Sequence, residues 1–203
     1  MRPCMRKAKN EYHHGHLAES LLDAVDEIAT KFGLEAVTLR ACAKLIGVSP
    51  SSAFRHYTDK RALLTAFATR ALRELAEVMA TARQQAMQQN QQAFLTVAMA
   101  YIDFALEKPA LFRVMWRDET IYSNDPDYQA ATHALSHHLQ DGFADTLTDH
   151  DPTVLSAQEL LAWSAVHGLA SLLVDGPIGK GDSTQQKRET AQAMLTTLLP
   201  VLE

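Results

Sequence analysis

Cysteine is nearly absent: the chain has only Cys4 and Cys42 among 203 residues. Two thiols cannot build a disulfide framework, and with no secretory pattern beside them they read as reduced thiols of a cytoplasmic chain. Glycine (8) and proline (7) are also scarce, which excludes collagen-like and low-complexity chains. No uninterrupted apolar run reaches the roughly 20 residues of a membrane helix. The N-terminus, MRPCMRKAKNEYHHGH, is basic, but no apolar segment follows it, so the pattern of a signal peptide is missing. Sustained β-type alternation is lacking, and no internal repeat is visible. What remains is 47% hydrophobic and 21% charged, an ordinary balance for one large or two small globular domains.

Charge is unevenly placed. Residues 1–73 carry twelve Lys and Arg against seven Asp and Glu, net +5, whereas residues 74–203 carry seven against seventeen, net −10. A basic first third on an acidic protein suggests that this part meets a polyanion while the rest does something else.

The periodicity is helical throughout. Leu17, Leu21, Val25, Ile28 and Phe32 recur at helical spacing and Gly33 follows as a stop. Thr38 is placed to cap a second helix that runs to Gly47, and Ser49 to cap a short third one with Pro50 at its first position. Thr58 or Asp59 opens a long fourth helix reaching about Arg83, and the Gln-rich stretch 84–92 reads as its end or a connection. Helical spacing resumes at Phe94, Val97, Tyr101 and Phe104. Pro109 opens a short helix with Leu111, Phe112, Met115 and Trp116. Further helices are expected at about 126–147, 156–175 and 183–199, with a Gly/Pro loop (Gly176, Pro177, Gly179, Gly181) before the last. The fold expected is all-α: an N-terminal three-helix helix-turn-helix domain over 1–60, with its arm, and a larger helical domain over 61–203. Because the boundary falls in the fourth helix, the two should move as linked rigid bodies.

Two short helices joined by a tight Gly-containing turn, Thr38 to Tyr57, fit the helix-turn-helix pattern, whose second helix enters the major groove. At 100° per residue, Ser51, Ser52, Arg55 and His56 share one arc of the third helix, while Ala53, Phe54 and Tyr57 share another. Small polar donors and an arginine on one side, with an apolar anchor on the other, are what groove reading needs. Arg40, Lys44, Arg55, Lys60 and Arg61 surround it with positive charge, and the capping hydroxyls of Thr38 and Ser49 suit phosphate oxygens.

The stretch Tyr12 to Leu64, about a quarter of the chain, resembles the DNA-binding domain of the TetR family of transcriptional regulators. The matching residues are Phe32-Gly33, Val37-Thr38-Leu39-Arg40, Gly47-Val48-Ser49, Phe54-Arg55-His56-Tyr57 and Asp59-Lys60-Arg61-Ala62-Leu63-Leu64. There are departures: Ser51 replaces a usual Gly, Phe54 a frequent Tyr whose hydroxyl contacts the DNA backbone in relatives, and Tyr57 a usual Phe. The resemblance implies a homodimer, a pseudo-palindromic operator, Lys60 on a phosphate, and Thr38 and Arg40 against the backbone. Arg6, Lys7, Lys9, His13 and His14 form an arm able to reach the backbone or minor groove, or a solvated tail.

Two later segments, Leu106 to Trp116 and Trp163 to Ala170, resemble the TetR-type C-terminal domain named for its Trp-His-Gly motif, which in relatives binds a small effector and forms the dimer. Phe94, Tyr101, Phe104, Phe112, Met115, Trp116, Trp163 and His167 are the candidates to line an effector cavity; each aromatic residue taken alone fits an ordinary core equally well. His167 fits a core histidine bonded to a carbonyl, and Gly168 a close helix approach. Leu160, Leu161, Val166, Leu169, Leu172 and Leu173, with Met194, Leu195, Leu198 and Leu199, suggest a four-helix dimer interface from the last two helices.

The competing class is a helical metal-dependent enzyme using His133, His137 and His167, the first two at i, i+4 spacing. Against it, Ala134 follows His133, so no HExxH is present; Asp182 follows Gly181, so no phosphate loop; and no G-x-S-x-G occurs. A structural DNA binder with a closed C-terminal core is the third class. The expectation is a ligand-responsive regulator, a repressor in sign, without catalytic activity, cofactor or metal.

Overall fold

The computed structural model describes residues 16–141 and 156–202. The basic arm, Cys4 and residues 142–155 lie outside the described residues. Among the described residues the structure is all-α, with nine helices, two 3₁₀ turns and no strand. It divides into two compact units, Met1–Leu63 and Leu64–Glu203.

The first unit is built from α1 (Leu17–Phe32), α2 (Leu39–Leu45) and α3 (Pro50–Phe54), with α4 (Lys60–Gln89) starting at its end. Leu21, Val25 and Ile28 of α1 are buried with Val37, Leu39, Cys42, Ala43 and Ala53, each large side chain contributing about 1.5–3 kcal/mol of apolar burial. Phe32, counted by spacing in the α1 stripe, is instead exposed, because Gly33 at φ 83° ends the helix there and turns the chain away.

The α2–α3 turn is fixed by backbone chemistry. The Val48 N–H donates to the Ala43 carbonyl (2.9 Å) and the Gly47 N–H to that of Lys44 (3.3 Å), with Gly47 at φ 74°. This is a Schellman stop, whose left-handed residue costs glycine nothing. Thr38 Oγ1 accepts from the Ala41 N–H and Ser49 Oγ from that of Ser52, capping α2 and α3.

In the second unit α4 continues past Arg83. Gln84 to Gln89 are helical, because glutamine is a good helix former and Ala86 is fully buried. The stop is Asn90 at φ 51°, with the Gln91 N–H on the Ala86 carbonyl. Then come α5 (Ala93–Glu107), α6 (Pro109–Met115), α7 (Pro126–Asp141), α8 (Ala157–Val174) and α9 (Thr184–Leu202). The expected helix over 126–147 is described only to Asp141. Helix α5 packs on α6, α8 and α9, and α8 also packs on α9 and α7. Ser156 and Glu159 close a reciprocal capping box on α8. Among the described residues, no helix is long and apolar enough to cross a membrane.

Candidate nucleic-acid interface and aromatic cluster

On α3 the burial pattern decides what is available. Ala53 is 0% exposed and roots the helix, while Ser51, Phe54, Arg55 and His56 are exposed and Ser52 is half-buried. Phe54 is 45% exposed, so it stands on the outer side and not with Ala53 as the arc predicted; the helix is little longer than a single turn, and Ala53 alone fills the contact. Tyr57 is half-buried, its hydroxyl a long 3.5 Å from the Ala18 carbonyl.

The hydroxyls here are organised. Ser49 Oγ lies 2.9 Å from Ser51 Oγ and 2.8 Å from Ser52 Oγ, and Arg55 Nη2 donates to Ser52 Oγ at 3.3 Å. Arg55 is thereby held along α3 instead of sampling all its rotamers, which lowers the entropy lost on engaging a partner. Lys60 Nζ donates to the Glu35 carbonyl (3.2 Å), and Asp59 Oδ1 accepts from the Ala62 N–H to start α4. Arg40 and Lys44 are exposed beside them. From Thr38 to Leu63 five cations face a single acid, Asp59. The acids of this unit sit mainly on α1 (Glu19, Asp23, Asp26, Glu27).

The second unit brings Tyr101, Phe112, Trp116, Trp163 and His167 together. His167 stacks on Trp163 (centroids 5.6 Å, 15°) and meets Trp116 and Phe112 at 5.0 and 5.5 Å. Trp116 crosses Trp163 edge-on at 5.8 Å. His167 Nδ1 lies 2.9 Å from the Tyr101 hydroxyl, so its partner is a phenol and not the carbonyl expected. Burial lowers the His167 pKa below its ordinary 6.5 and raises that of the Tyr101 phenol, an effect the neighbouring Trp116 only partly offsets. Tyr101, Phe104, Phe112 and Met115 are buried as core, whereas Trp116, Trp163 and His167 are half-buried. Phe94 is also half-buried.

Two grooves of the second unit lie elsewhere: one of about 510 Å³ lined by Glu74, Glu77, Val78 and Lys108, among others, and one of about 480 Å³ at the α8–α9 loop around Asp175, Gly176, Lys180 and Lys187. His133 is exposed on α7, and the side chain of His137 lies outside the described residues. Among the described residues, no group of three or more His, Cys, Asp or Glu is placed to hold a metal.

Sequence reasoning missed the Tyr101–His167 bond and the ion pair of Arg188 with Asp103, whose Nη2–Oδ2 arm is 2.8 Å long. Neither carries a local signal, since their partners are 66 and 85 residues apart. The Ser156-x-x-Glu159 box was legible as a pattern.

An all-helical chain whose first unit presents an exposed, basic helix-turn-helix defines the class of helix-turn-helix regulators. Residues 21–67 match the family model for bacterial regulatory proteins of the tetR family, and residues 94–198 that for the tetracyclin repressor-like C-terminal domain. The chain belongs to the TetR family of bacterial regulatory proteins, a family of DNA-binding transcription regulators. It is 33% identical over 98 residues to an uncharacterized HTH-type transcriptional regulator, YobS, of Bacillus subtilis (strain 168), a stretch that covers 48% of this chain and 50% of the relative. The chain thus spans about half the length of that curated relative.

Among solved structures, a protein of unknown function from Rhodococcus sp. RHA1 is similar in fold (TM-score 0.68, 24% identity, covering 92% of this chain and 96% of that one). So is the TetR family transcriptional regulator PfmR from Thermus thermophilus (TM-score 0.61, 17% identity, 86% and 93%).

Proposed function

We propose that this protein is a cytoplasmic repressor that binds a pseudo-palindromic operator as a homodimer and is released by a small-molecule effector, without catalysis of its own. The observation that carries the reading is α3: fully buried at Ala53, it turns Ser51, Phe54, Arg55 and His56 outward. In this reading residues 1–60 are the DNA-binding part and 61–203 the effector-binding and dimerisation part. Arg55, with Ser51, Ser52 and His56, reads base edges. Thr38, Arg40, Ser49, Tyr57 and Lys60 position the domain on phosphates, and Phe54 offers an apolar contact such as a thymine methyl. Lys60 exchanges its present carbonyl partner for a phosphate.

The dimer reading has its own support. Leu161, Ala165, Gly168 and Leu172 form one stripe of α8; Leu161 and Leu172 are exposed, as are Leu160 of the same helix and Met194 of α9. A Cβ built on Gly168 meets nothing within 4 Å, so the close approach expected of this glycine has no partner among the described residues and suits a second copy. The effector site is assigned to the Tyr101–Trp116–Trp163–His167 region, with Phe104, Phe112 and Met115 as its floor. Trp163, His167 and Gly168 support placing this unit in the Trp-His-Gly subgroup.

The test is binding to duplexes from the DNA flanking the gene, by fluorescence anisotropy at several salt concentrations. Arg55→Ala should weaken the preferred duplex by about 1–3 kcal/mol and relax preference at one base pair, whereas Lys60→Ala should weaken all duplexes alike and reduce the salt slope by about 1. Wild-type binding by both variants refutes the reading.

A further inference from the structure

Hydrogen-bond bookkeeping in the aromatic cluster is unbalanced. The Trp163 Nε1 and Trp116 Nε1 atoms are both buried; Trp163 Nε1 has no hydrogen-bond partner among the described residues, and Trp116 Nε1 has none of good geometry, although it acts on the neighbouring Tyr101 hydroxyl. The one bond inside the cluster, Tyr101 to His167 Nδ1, leaves the second imidazole nitrogen with a further polar position to satisfy. The cluster is therefore rich in donors and poor in acceptors. A buried donor without an acceptor costs roughly 1–3 kcal/mol, so any molecule that brings acceptors to these indoles is favoured by relieving that cost.

The surrounding charge narrows the chemistry. The lysines and arginines on α6 and α9, with Lys108 between α5 and α6, are all engaged. Lys108 bonds Glu74, Arg113 bonds Asp175, Lys187 bonds the Leu173 carbonyl, and Arg188 bonds Asp103. Helices α5 and α8 carry neither Lys nor Arg. A carboxylate or phosphate would find no uncommitted countercharge on these four helices; a buried guanidinium atom of this unit that lacks a partner among the described residues, Arg83 Nη1, belongs to α4. The carboxylates of these helices are committed or stand at the surface: Asp103 is held by Arg188, buried Glu159 caps its own helix, Glu189 accepts from the Gln185 amide, and Glu107 is exposed at the end of α5. The walls themselves are flat rings at stacking and edge-on distances.

We infer that the effector of this protein is an uncharged, flat aromatic molecule bearing acceptor oxygens, bound by the indole N–H groups of Trp163 and Trp116 beside the Tyr101–His167 pair. The inference rests on the effector reading above and adds the ligand's chemical class to it. A ligand of this kind shifts the protein toward whichever conformation gives those donors an acceptor, since only differential affinity for the two states moves an equilibrium.

Trp116 and Trp163 are the only tryptophans in the chain, so the ¹⁵N-labelled protein gives two indole N–H resonances, both from this cluster. The experiment titrates the full-length protein with four compounds sharing one ring body: naphthalene, 1-acetonaphthone, 1-naphthoate and 1-naphthylmethylammonium. Dissociation constants and indole shifts are read together, with duplex binding measured on the same samples. The expected result is that 1-acetonaphthone binds at least about tenfold tighter than naphthalene and moves both indole resonances downfield, while neither ion binds tighter than naphthalene. Trp163→Phe should reduce the ketone's advantage over naphthalene to about threefold or less, the ratio cancelling any stacking area lost to both ligands; the wild-type resonances decide the matter if that variant folds poorly. Unmoved indoles, tightest binding by either ion, equal binding of naphthalene and the ketone, or no binding at all overturns the inference. Shifted indoles with unchanged duplex affinity would uphold the ligand chemistry and remove the effector role. Duplex release with unmoved indoles would do the reverse.

Discussion

At His167 burial, stacking and a hydrogen bond meet on one titratable ring. Burial disfavours its charged form, so the folded protein holds the proton less tightly than the unfolded chain, whose imidazole titrates near 6.5. Between those two values the unfolded state binds more protons, and stability therefore rises with pH. The contribution is complete above about 6.5 and is lost as the pH falls toward the folded value. His167→Gln keeps a partner for the Tyr101 hydroxyl but cannot titrate. Thermal denaturation at about pH 5 and pH 8 should show a smaller acid loss of Tm in this variant than in the wild type; an identical loss would show that His167 does not carry the effect. The sequence marked His167 as notable but could not name Tyr101 as its partner, because a pairing across 66 residues leaves no trace in local spacing. Phe32 and Phe54 show the same limit from the other side: helical arcs grouped them with apolar neighbours, but exposure depends on what lies opposite.

Single elements were more legible because their ends are decided by nearby chemistry. Thr38, Ser49 and Asp59 each accept a backbone N–H within three residues, and Gly33 and Gly47 sit at positive φ where helices stop. The Gln-rich stretch misled about the end of α4, since glutamines fit a helix as readily as its exit and Asn90 supplies the actual stop. Between elements, Arg188 clasps Asp103 with two nitrogens and fastens α9 to α5, and the Asp103 carboxylate raises the Arg188 pKa. With both side chains partly solvated, the pair is worth about 1 kcal/mol at most. Urea denaturation of Asp103→Asn, Arg188→Met and the double variant should give a coupling energy of about that size, falling with added salt. Additivity of the two single changes would show that the pair contributes only packing.

For the whole molecule the decisive surface is the open stripe of α8. Large apolar side chains left exposed together mark a contact face, and Gly168 at its centre has free space where a side chain would stand. Inside one chain, Gly168→Ala should be harmless and could gain up to about 1 kcal/mol of helix propensity. Gly168→Leu should split the proposed dimer into folded monomers by sedimentation velocity and abolish tight operator binding with the helical circular dichroism unchanged. A Gly168→Leu protein that stays dimeric would move the interface away from this stripe.

The amino-acid sequence by itself determined the helical class, the helix boundaries set by caps and glycines, the basic helix-turn-helix and its exposed arginine, because period, capping and charge act over a few residues. Tertiary structure decided which aromatics became core and which stayed half-buried, which polar atoms found partners, and which leucines remained uncovered. Those outcomes depend on side chains that meet only after the chain has closed on itself, at separations no local pattern records.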